Sequence, residues 1–202
     1  MIKKIKENVW KLSFINFGSC VYLLKLDKKN ILIDTGSESN RDEFLNALKE
    51  LGVKASEINV VILTHNHYDH TGNIEIFKNA EIYGSKEDFK AKRIFNSSLN
   101  KVKKEEYEEC EKNGICRVFT EKEIKDIDNL KIKGLKIVKT PGHTKGSICI
   151  FLPEEKILFS GDTLFHNGIG RTDFPNSSPE EMEKSLEKLE KINYEILCPG
   201  HD

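Results

Sequence analysis

The sequence predicts an α+β fold in which helices pack on β-sheet. Three observations carry that expectation. The stretch up to Ile33 holds successive short apolar or alternating runs with turn residues between them. From Arg41 to Tyr83 the pattern then alternates helix, strand, helix, strand. Finally, several apolar runs end abruptly in clusters bearing histidine or aspartate. The order strands, helix, polar strand end recurs in each half of the 202 residues, as in a degenerate duplication.

Val9 to Phe14, Cys20 to Leu26 and Asn30 to Ile33 are bounded by Asn16, Gly18 and Asp27-Lys28-Lys29-Asn30, and read as successive antiparallel strands. Arg41 to Leu51 reads as a helix, with Phe44, Leu45, Leu48 and Leu51 at core-facing spacing and Gly52 as a stop. Ser56 to Asn59 leads into Val60 to Leu63, whose β-branched composition suits a buried strand. A short helix, Ile74 to Lys78, and a strand, Ala80 to Tyr83, follow. From Ser85 to Asp128 the texture changes to charged helical stretches such as Lys101 to Lys112. A helical insertion at 85–128 is expected there. Its apolar points Phe89, Ile94, Phe95, Leu99 and Tyr107 either line a substrate entrance or pack a solvated excursion. Strands are expected again at Leu130 to Ile132, Leu135 to Thr140, Ser147 to Leu152 and Lys156 to Phe159. A helix from Pro179 to Lys191 and a strand from Glu195 to Cys198 close the chain. All of it reads as one domain, 1–202.

Lys+Arg 32 against Asp+Glu 33 gives a formal net charge of −1, so no global field recruits nucleic acid or an anionic membrane. The expected partner is a small-molecule substrate; the oligomeric state is left open. Met-Ile-Lys-Lys-Ile-Lys-Glu is not followed by an apolar signal segment, and no run approaches transmembrane length. The five cysteines, Cys20, Cys110, Cys116, Cys149 and Cys198, are odd in number and lack paired spacing. That suits reduced thiols acting as small core residues, and a cytoplasmic location is expected.

Of six histidines, three fall at His65, His67 and His70 on the loop after Val60 to Leu63, with Asp69 among them. In extended backbone alternate side chains share a face, so His65 and His67 can offer two imidazoles to one ion. A turn permitted by Gly72 would aim Asp69 and His70 at a neighbouring point. Imidazole suits zinc or iron, and the carboxylate lowers the net positive charge of such a site. Three further strand ends carry matching donors: His143 in Pro141-Gly142-His143-Thr144, Asp162 in Ser160-Gly161-Asp162-Thr163, and His201 in Pro199-Gly200-His201-Asp202. Asp34 in Asp34-Thr35-Gly36 is placed either to orient a histidine or simply to make a turn.

These five ordered motifs, with Asp162 followed by Thr163-Leu164-Phe165, resemble the metallo-β-lactamase superfamily and, within it, the glyoxalase II-like hydrolases. The resemblance implies a four-layer αββα sandwich with a dinuclear metal site along one edge of the sheets. It implies one ion on His65, His67 and His143, a second on Asp69, His70 and His201, and Asp162 bridging them. Asp69 and Asp162 are then the expected catalytic residues. Two Zn2+ per chain are implied, with iron or manganese as substitutes. The implied chemistry is attack of a shared hydroxide on a small thioester or acyl ester. Glyoxalase II itself carries a C-terminal helical part that holds glutathione, and nothing matching it follows Asp202, so glutathione thioesters are not the first expectation. Gly168-Ile169-Gly170-Arg171-Thr172-Asp173-Phe174 is similar to a stretch shared with the persulfide dioxygenases, which hold one iron through the equivalents of His143, Asp162 and one early histidine. Mononuclear-iron oxygen chemistry is therefore the alternative. A metal-dependent phosphodiesterase and a non-enzymatic metal-binding module stand behind it. Arg171 and Asp173 are expected to pair as structural residues bracing the Asp162 loop, and His166 to be a surface histidine.

Overall fold

Strict two-residue alternation of apolar side chains sets two sheets face to face in the computed structural model, which describes residues 1–15, 18–89 and 124–201. The larger sheet has seven strands in sequence order: β1 (Ile2–Lys6), β2 (Val9–Leu12), β3 (Val21–Leu26), β4 (Lys29–Ile33), β5 (Ile58–Ile62), β6 (Glu81–Gly84) and β7 (Ile124–Asp126). The smaller holds β8 (Lys136–Lys139), β9 (Ile148–Leu152), β10 (Ile157–Gly161) and β13 (Ile196–Pro199), ordered β13-β10-β9-β8. β11 (Leu164–Phe165) and β12 (Gly168–Ile169) form a small hairpin between β10 and β13.

Tyr22, Leu24, Ile31, Ile33, Val60 and Ile62 of the large sheet meet Ile148, Ile150, Leu152, Ile157 and Phe159 of the small one in a shared core. The intervening Val21, Leu23, Leu32 and Val61 point the other way, against Phe44 and Leu48 of α1 (Arg41–Glu50). Cys149 and Leu158 likewise turn outward to Leu189 of α4 (Pro179–Glu190). The layers are therefore helix, sheet, sheet, helix, the αββα sandwich expected. Strands covered on both faces need no polar alternation, which is why β3 to β5 read as nearly continuous apolar runs. The α4 start is built locally: Ser178 accepts from the Glu181 N–H and Pro179 fills the first turn.

β4, β5, β6 and β7 run parallel to one another, as do β10 and β13. Loops leaving the C-terminal ends of parallel strands gather at one end of a sheet. Most of the candidate site residues sit on such loops.

One strand lies outside the expected set, and three expectations need correction. Ile2–Lys6 is an antiparallel edge strand, because Ile2 and Ile5 pack while the lysines stay in water. Leu130 to Ile132 makes no strand; Ile132 reaches the core from a loop that follows a 3₁₀ turn. Ile74 to Lys78 shrinks to the 3₁₀ turn Ile74–Ile76, a segment too short to complete an α-helix. The expected insertion falls mainly on 90–123, which with Lys101 to Lys112 and the points Ile94, Phe95, Leu99 and Tyr107 lies outside the described residues. Its flanks are described. α3 (Lys86–Phe89) is helical, but Ile124–Asp126 is a strand, and Phe89 packs on the outer core of the large sheet rather than at an entrance. Among the described residues no helix is long and apolar enough to cross a membrane.

Candidate metal centre

Each candidate donor leaves a strand end. His65 and His67 lie on the loop after β5, and Asp69 and His70 on the single turn α2 (Tyr68–Thr71) that closes it. His143 sits between β8 and β9, Asp162 just past β10, and His201 just past β13. The structure brings all seven together in two groups. His65, His67, His143 and Asp162 form one; Asp69, His70 and His201 form the other. Within each group one donor atom per residue lies within 4.8 Å of every other. Asp162 joins the groups, with Oδ1 at 3.2 Å from His70 Nε2 and Oδ2 at 3.5 Å from His143 Nε2 and 3.4 Å from His201 Nε2.

The spacing of the donors is that of ligands around cations. Four ligands at zinc–nitrogen distances put neighbouring nitrogens about 3.3 Å apart. His143 Nε2 faces His67 Nδ1 at 2.9 Å, and His70 Nε2 faces His201 Nε2 at 3.3 Å. His65 Nε2 is sealed from solvent and finds no hydrogen-bond partner among the described residues. A cation at the centre of the cluster would satisfy that atom, so the residues present fit a metal pair.

The two groups differ in charge. Burial pushes His65 and His67 down, His67 to about 3, and the facing imidazoles add to the shift. His143 is lowered by burial as well. These rings are therefore neutral and ready to donate lone pairs. In the second group burial also disfavours charge, yet Asp162, Asp34 and Asp69 hold His70 well above the ordinary histidine range. His201 is likewise raised to about 9 through Asp162 and Asp69, against its own burial. Burial works against ionising Asp162, but His70 and His201 keep its carboxyl well below the usual carboxylate range.

Hydrogen bonds orient the rings. Buried Asp34 accepts from the Thr64 N–H at 2.8 Å, from the Thr64 hydroxyl at 2.8 Å and from His70 Nδ1 at 2.8 Å. The Thr64 oxygen in turn lies 3.0 Å from His65 Nδ1. Asp34 is thus the orienting group that the strand-end reading allowed, held at φ 59, where Asp is tolerated. His143 Nδ1 donates to the Arg171 carbonyl at 2.8 Å. The last loop is fixed from three sides: the Cys20 N–H donates to the Gly200 carbonyl, the Gly200 N–H to Gly161, and the Tyr22 hydroxyl to Pro199. Gly200 has no room for a side chain, since a Cβ there would lie 2.2 Å from Asp162 Oδ1.

Other expectations shift in detail. Gly72 adopts φ −61, open to any residue; what it supplies is close approach, because a Cβ would meet the Glu38 N at 2.4 Å. Arg171 and Asp173 do pair, through two hydrogen bonds of 2.9 and 2.8 Å. Their side chains are exposed, however. It is the Arg171 backbone that reaches the site, while its guanidinium stacks on Phe174, 4.4 Å from the ring centroid. Phe174 stands edge-on to His67 and His143, and Phe165 to His201, so aromatic walls flank both groups. His166 is exposed in the β11–β12 turn.

One participant escapes the sequence reading. Asp88, on α3, is buried and accepts from the Thr144 hydroxyl at 2.7 Å, the Gly146 N–H at 2.7 Å and the Asn66 N–H at 3.2 Å. Burial pushes it up to about 6 against those three bonds. In sequence it sits within the charged texture of 85–128, and its partners lie 22 to 58 residues away. No local signal points to it.

A two-sheet sandwich with histidine and aspartate donors gathered at one end defines a class of metal-binding folds. The chain belongs to the metallo-beta-lactamase superfamily, whose profile matches residues 16–201. It is 34% identical over 209 residues to a probable metallo-hydrolase of Methanocaldococcus jannaschii, covering 96% of this chain and 92% of that one. It is 33% identical over 189 residues to a hydroxyacylglutathione hydrolase of Haemophilus influenzae, covering 91% and 84% respectively. Among solved structures, a protein in a di-iron-bound form superposes with TM-score 0.75 at 22% identity, covering 95% of this chain and 91% of that one. A metallo-beta-lactamase family protein from Thermus thermophilus does so with TM-score 0.77 at 21% identity, covering 98% and 75%. At those identities the structures speak for the fold alone.

Proposed function

We propose that this chain is a metal-dependent hydrolase of a small thioester or related acyl ester, holding two zinc ions. The observation that carries the reading is the convergence of two donor groups on one shared carboxylate, Asp162. His65, His67 and His143 would hold one cation, Asp69, His70 and His201 the other, with Asp162 between them. Two cations held by these residues would supply hydroxide near neutrality by lowering the pKa of bound solvent. Asp69, whose carboxyl stays below its usual range against its burial through His70 and His201, would be ionised and could orient that solvent. Phe165 and Phe174 offer apolar contact to the acyl and leaving groups. The relative named a hydroxyacylglutathione hydrolase supports the thioester class and returns glutathione thioesters to the panel to be tested. Buried, reduced cysteines at Cys20, Cys149 and Cys198 accord with a reducing, cytoplasmic setting.

The test is metal content per chain, followed by hydrolysis of a thioester panel that includes a hydroxyacylglutathione. About two ions, mostly zinc, with thioesterase activity lost on Asp162→Ala, is the expected result. A second reading, persulfide oxygenation at one iron, is favoured by the Gly170 to Phe174 loop lying against His143. One iron per chain, with oxygen uptake on a persulfide and no thioesterase activity, would replace the hydrolase.

A further inference from the structure

We propose that Asp88 is a positioning residue for one metal position only: its buried carboxylate ties the His65–His67 loop to the His143 loop and leaves the Asp69, His70 and His201 group untouched. The inference rests on the seven donors acting as metal ligands, and not on the thioester chemistry.

Asp88 is 3% exposed. Its Oδ2 accepts from the Asn66 N–H and the Thr144 hydroxyl, its Oδ1 accepts from the Gly146 N–H, and its carbonyl accepts from Asn66 Nδ2 at 3.3 Å. Asn66 stands between His65 and His67, and Thr144 directly follows His143. The two loops come from different sheets, one after β5 and the other between β8 and β9. They must nevertheless bring His67 Nδ1 and His143 Nε2 to 2.9 Å of each other. A pair of ligand nitrogens needs placement to within a few tenths of an ångström, and one rigid acceptor shared by both loops supplies it. The contact is backbone-close: a Cβ on Gly146 would lie 2.6 Å from Asp88 Cγ, so the loop approaches the carboxylate as only glycine allows. The second donor group is braced otherwise, through Asp34 on His70 and through Ser19, whose hydroxyl donates to the Asp69 carbonyl. None of the hydrogen bonds described for Asp88 reaches that group.

Asparagine at position 88 keeps the shape but turns one acceptor into a donor facing other donors; alanine removes both. The experiment compares the full-length protein with Asp88→Asn and Asp88→Ala, each stripped and reloaded with zinc against a graded chelator. Histidine ring nitrogens are followed by ¹⁵N NMR. His67 presents Nδ1 to the cluster, whereas His143, His70 and His201 present Nε2, so the first position has its own signature. The expected result is a roughly 10- to 100-fold loss of affinity at that position in Asp88→Asn, with a larger loss in Asp88→Ala. The His67 and His143 signals revert to their metal-free positions while those of His70 and His201 stay bound. Thr144→Val removes one hydroxyl at constant volume and is expected to show a smaller loss at the same position, with Thr144→Ser restoring it; this pair decides the matter should the Asp88 variants fail to fold. Equal loss at both positions, loss that follows only a fall in Tm, or unchanged affinity overturns the proposal. A wild-type chain that retains no divalent cation overturns the ligand reading itself, and the proposal with it.

Discussion

Replacing Asp34 by asparagine is expected to dismantle the centre without dismantling the protein. In the native arrangement His70 Nδ1–H and the Thr64 hydroxyl both donate to Asp34 Oδ2, and His65 Nδ1–H donates to the Thr64 oxygen. That order of protons leaves His65 Nε2 bare and turned towards the cluster, and leaves His70 only its Nε2 proton to give up when a cation enters. Asparagine accepts from the Thr64 N–H as before but puts an NH₂ where Oδ2 stood. The Thr64 hydroxyl must then rotate to donate to His65 Nδ1, and His70 Nδ1 must become an acceptor. Both rings change tautomer, and each carries a proton on the nitrogen that faces the cations. Flipping the amide instead sets its NH₂ against the Thr64 N–H, leaving a buried donor unmet at about 1–3 kcal/mol. Losing the orienting partner of one ligand typically weakens metal binding 10- to 100-fold. With two ligands affected, a loss of about 10² or more is expected. Stability should suffer less, since asparagine tolerates the φ of 59. Asp34→Ala reverses the ranking. It strands three donors in a buried site, roughly 3–5 kcal/mol, while leaving the tautomers free. The assay is zinc retention against a chelator series, set beside Tm and histidine ¹⁵N shifts. An Asp34→Asn protein that holds two zinc ions at wild-type affinity, or one that loses more Tm than Asp34→Ala, refutes the proton-order argument.

Asp162→Ala should release at least one metal and abolish turnover; elemental analysis showing full occupancy with retained activity would remove its bridging role. In Gly200→Ala the new Cβ would stand 2.2 Å from Asp162 Oδ1 and 2.8 Å from His70 Cε1, so kcat/KM should fall by about 10² or more while far-UV circular dichroism stays native. Metal uptake should release protons unequally. His70, held well above the ordinary histidine range, and His201, raised to about 9, are both protonated at neutral pH, so a cation entering their group displaces two protons, and affinity there drops by more than tenfold for each pH unit below 9. His67, lowered to about 3, holds no proton to displace above that pH. A pH-stat titration should therefore register proton release concentrated in one of the two equivalents, and equal release would contradict the assignment. Tyr22→Phe removes the donor to the Pro199 carbonyl at 2.6 Å, which should cost about 1 kcal/mol and lower Tm by roughly 2–4 °C.

The donors were legible in the sequence because their chemistry is local: a histidine or aspartate directly after an apolar strand declares itself wherever the fold later carries it. Central strands were legible for a similar reason, since burial on both faces writes long apolar runs such as Ile31 to Ile33. The edges were not. Ile2–Lys6 buries two side chains among lysines, and Ile124–Asp126 joins the sheet on partly buried side chains, so neither shows a two-residue period. Residues defined by contact escaped entirely. Asp88 matters because of Gly146, 58 positions away, and the space denied at Gly200 is set by Asp162 and His70. No window of neighbouring residues contains that information.

None of the side chains in the three apolar clusters is a donor of the centre. The framework that keeps the chain folded and the donors that would carry the reaction are written in separate sets of positions, joined at the strand ends and by braces such as the Tyr22 hydroxyl on Pro199. A lineage can therefore exchange a ligand, a wall residue or a whole connecting loop while the hydrophobic interior stays as it is. Inheritance of the sandwich and invention of new reactivity become nearly independent events. An architecture divided in this way is suited to serve many chemistries from a single ancestral blueprint.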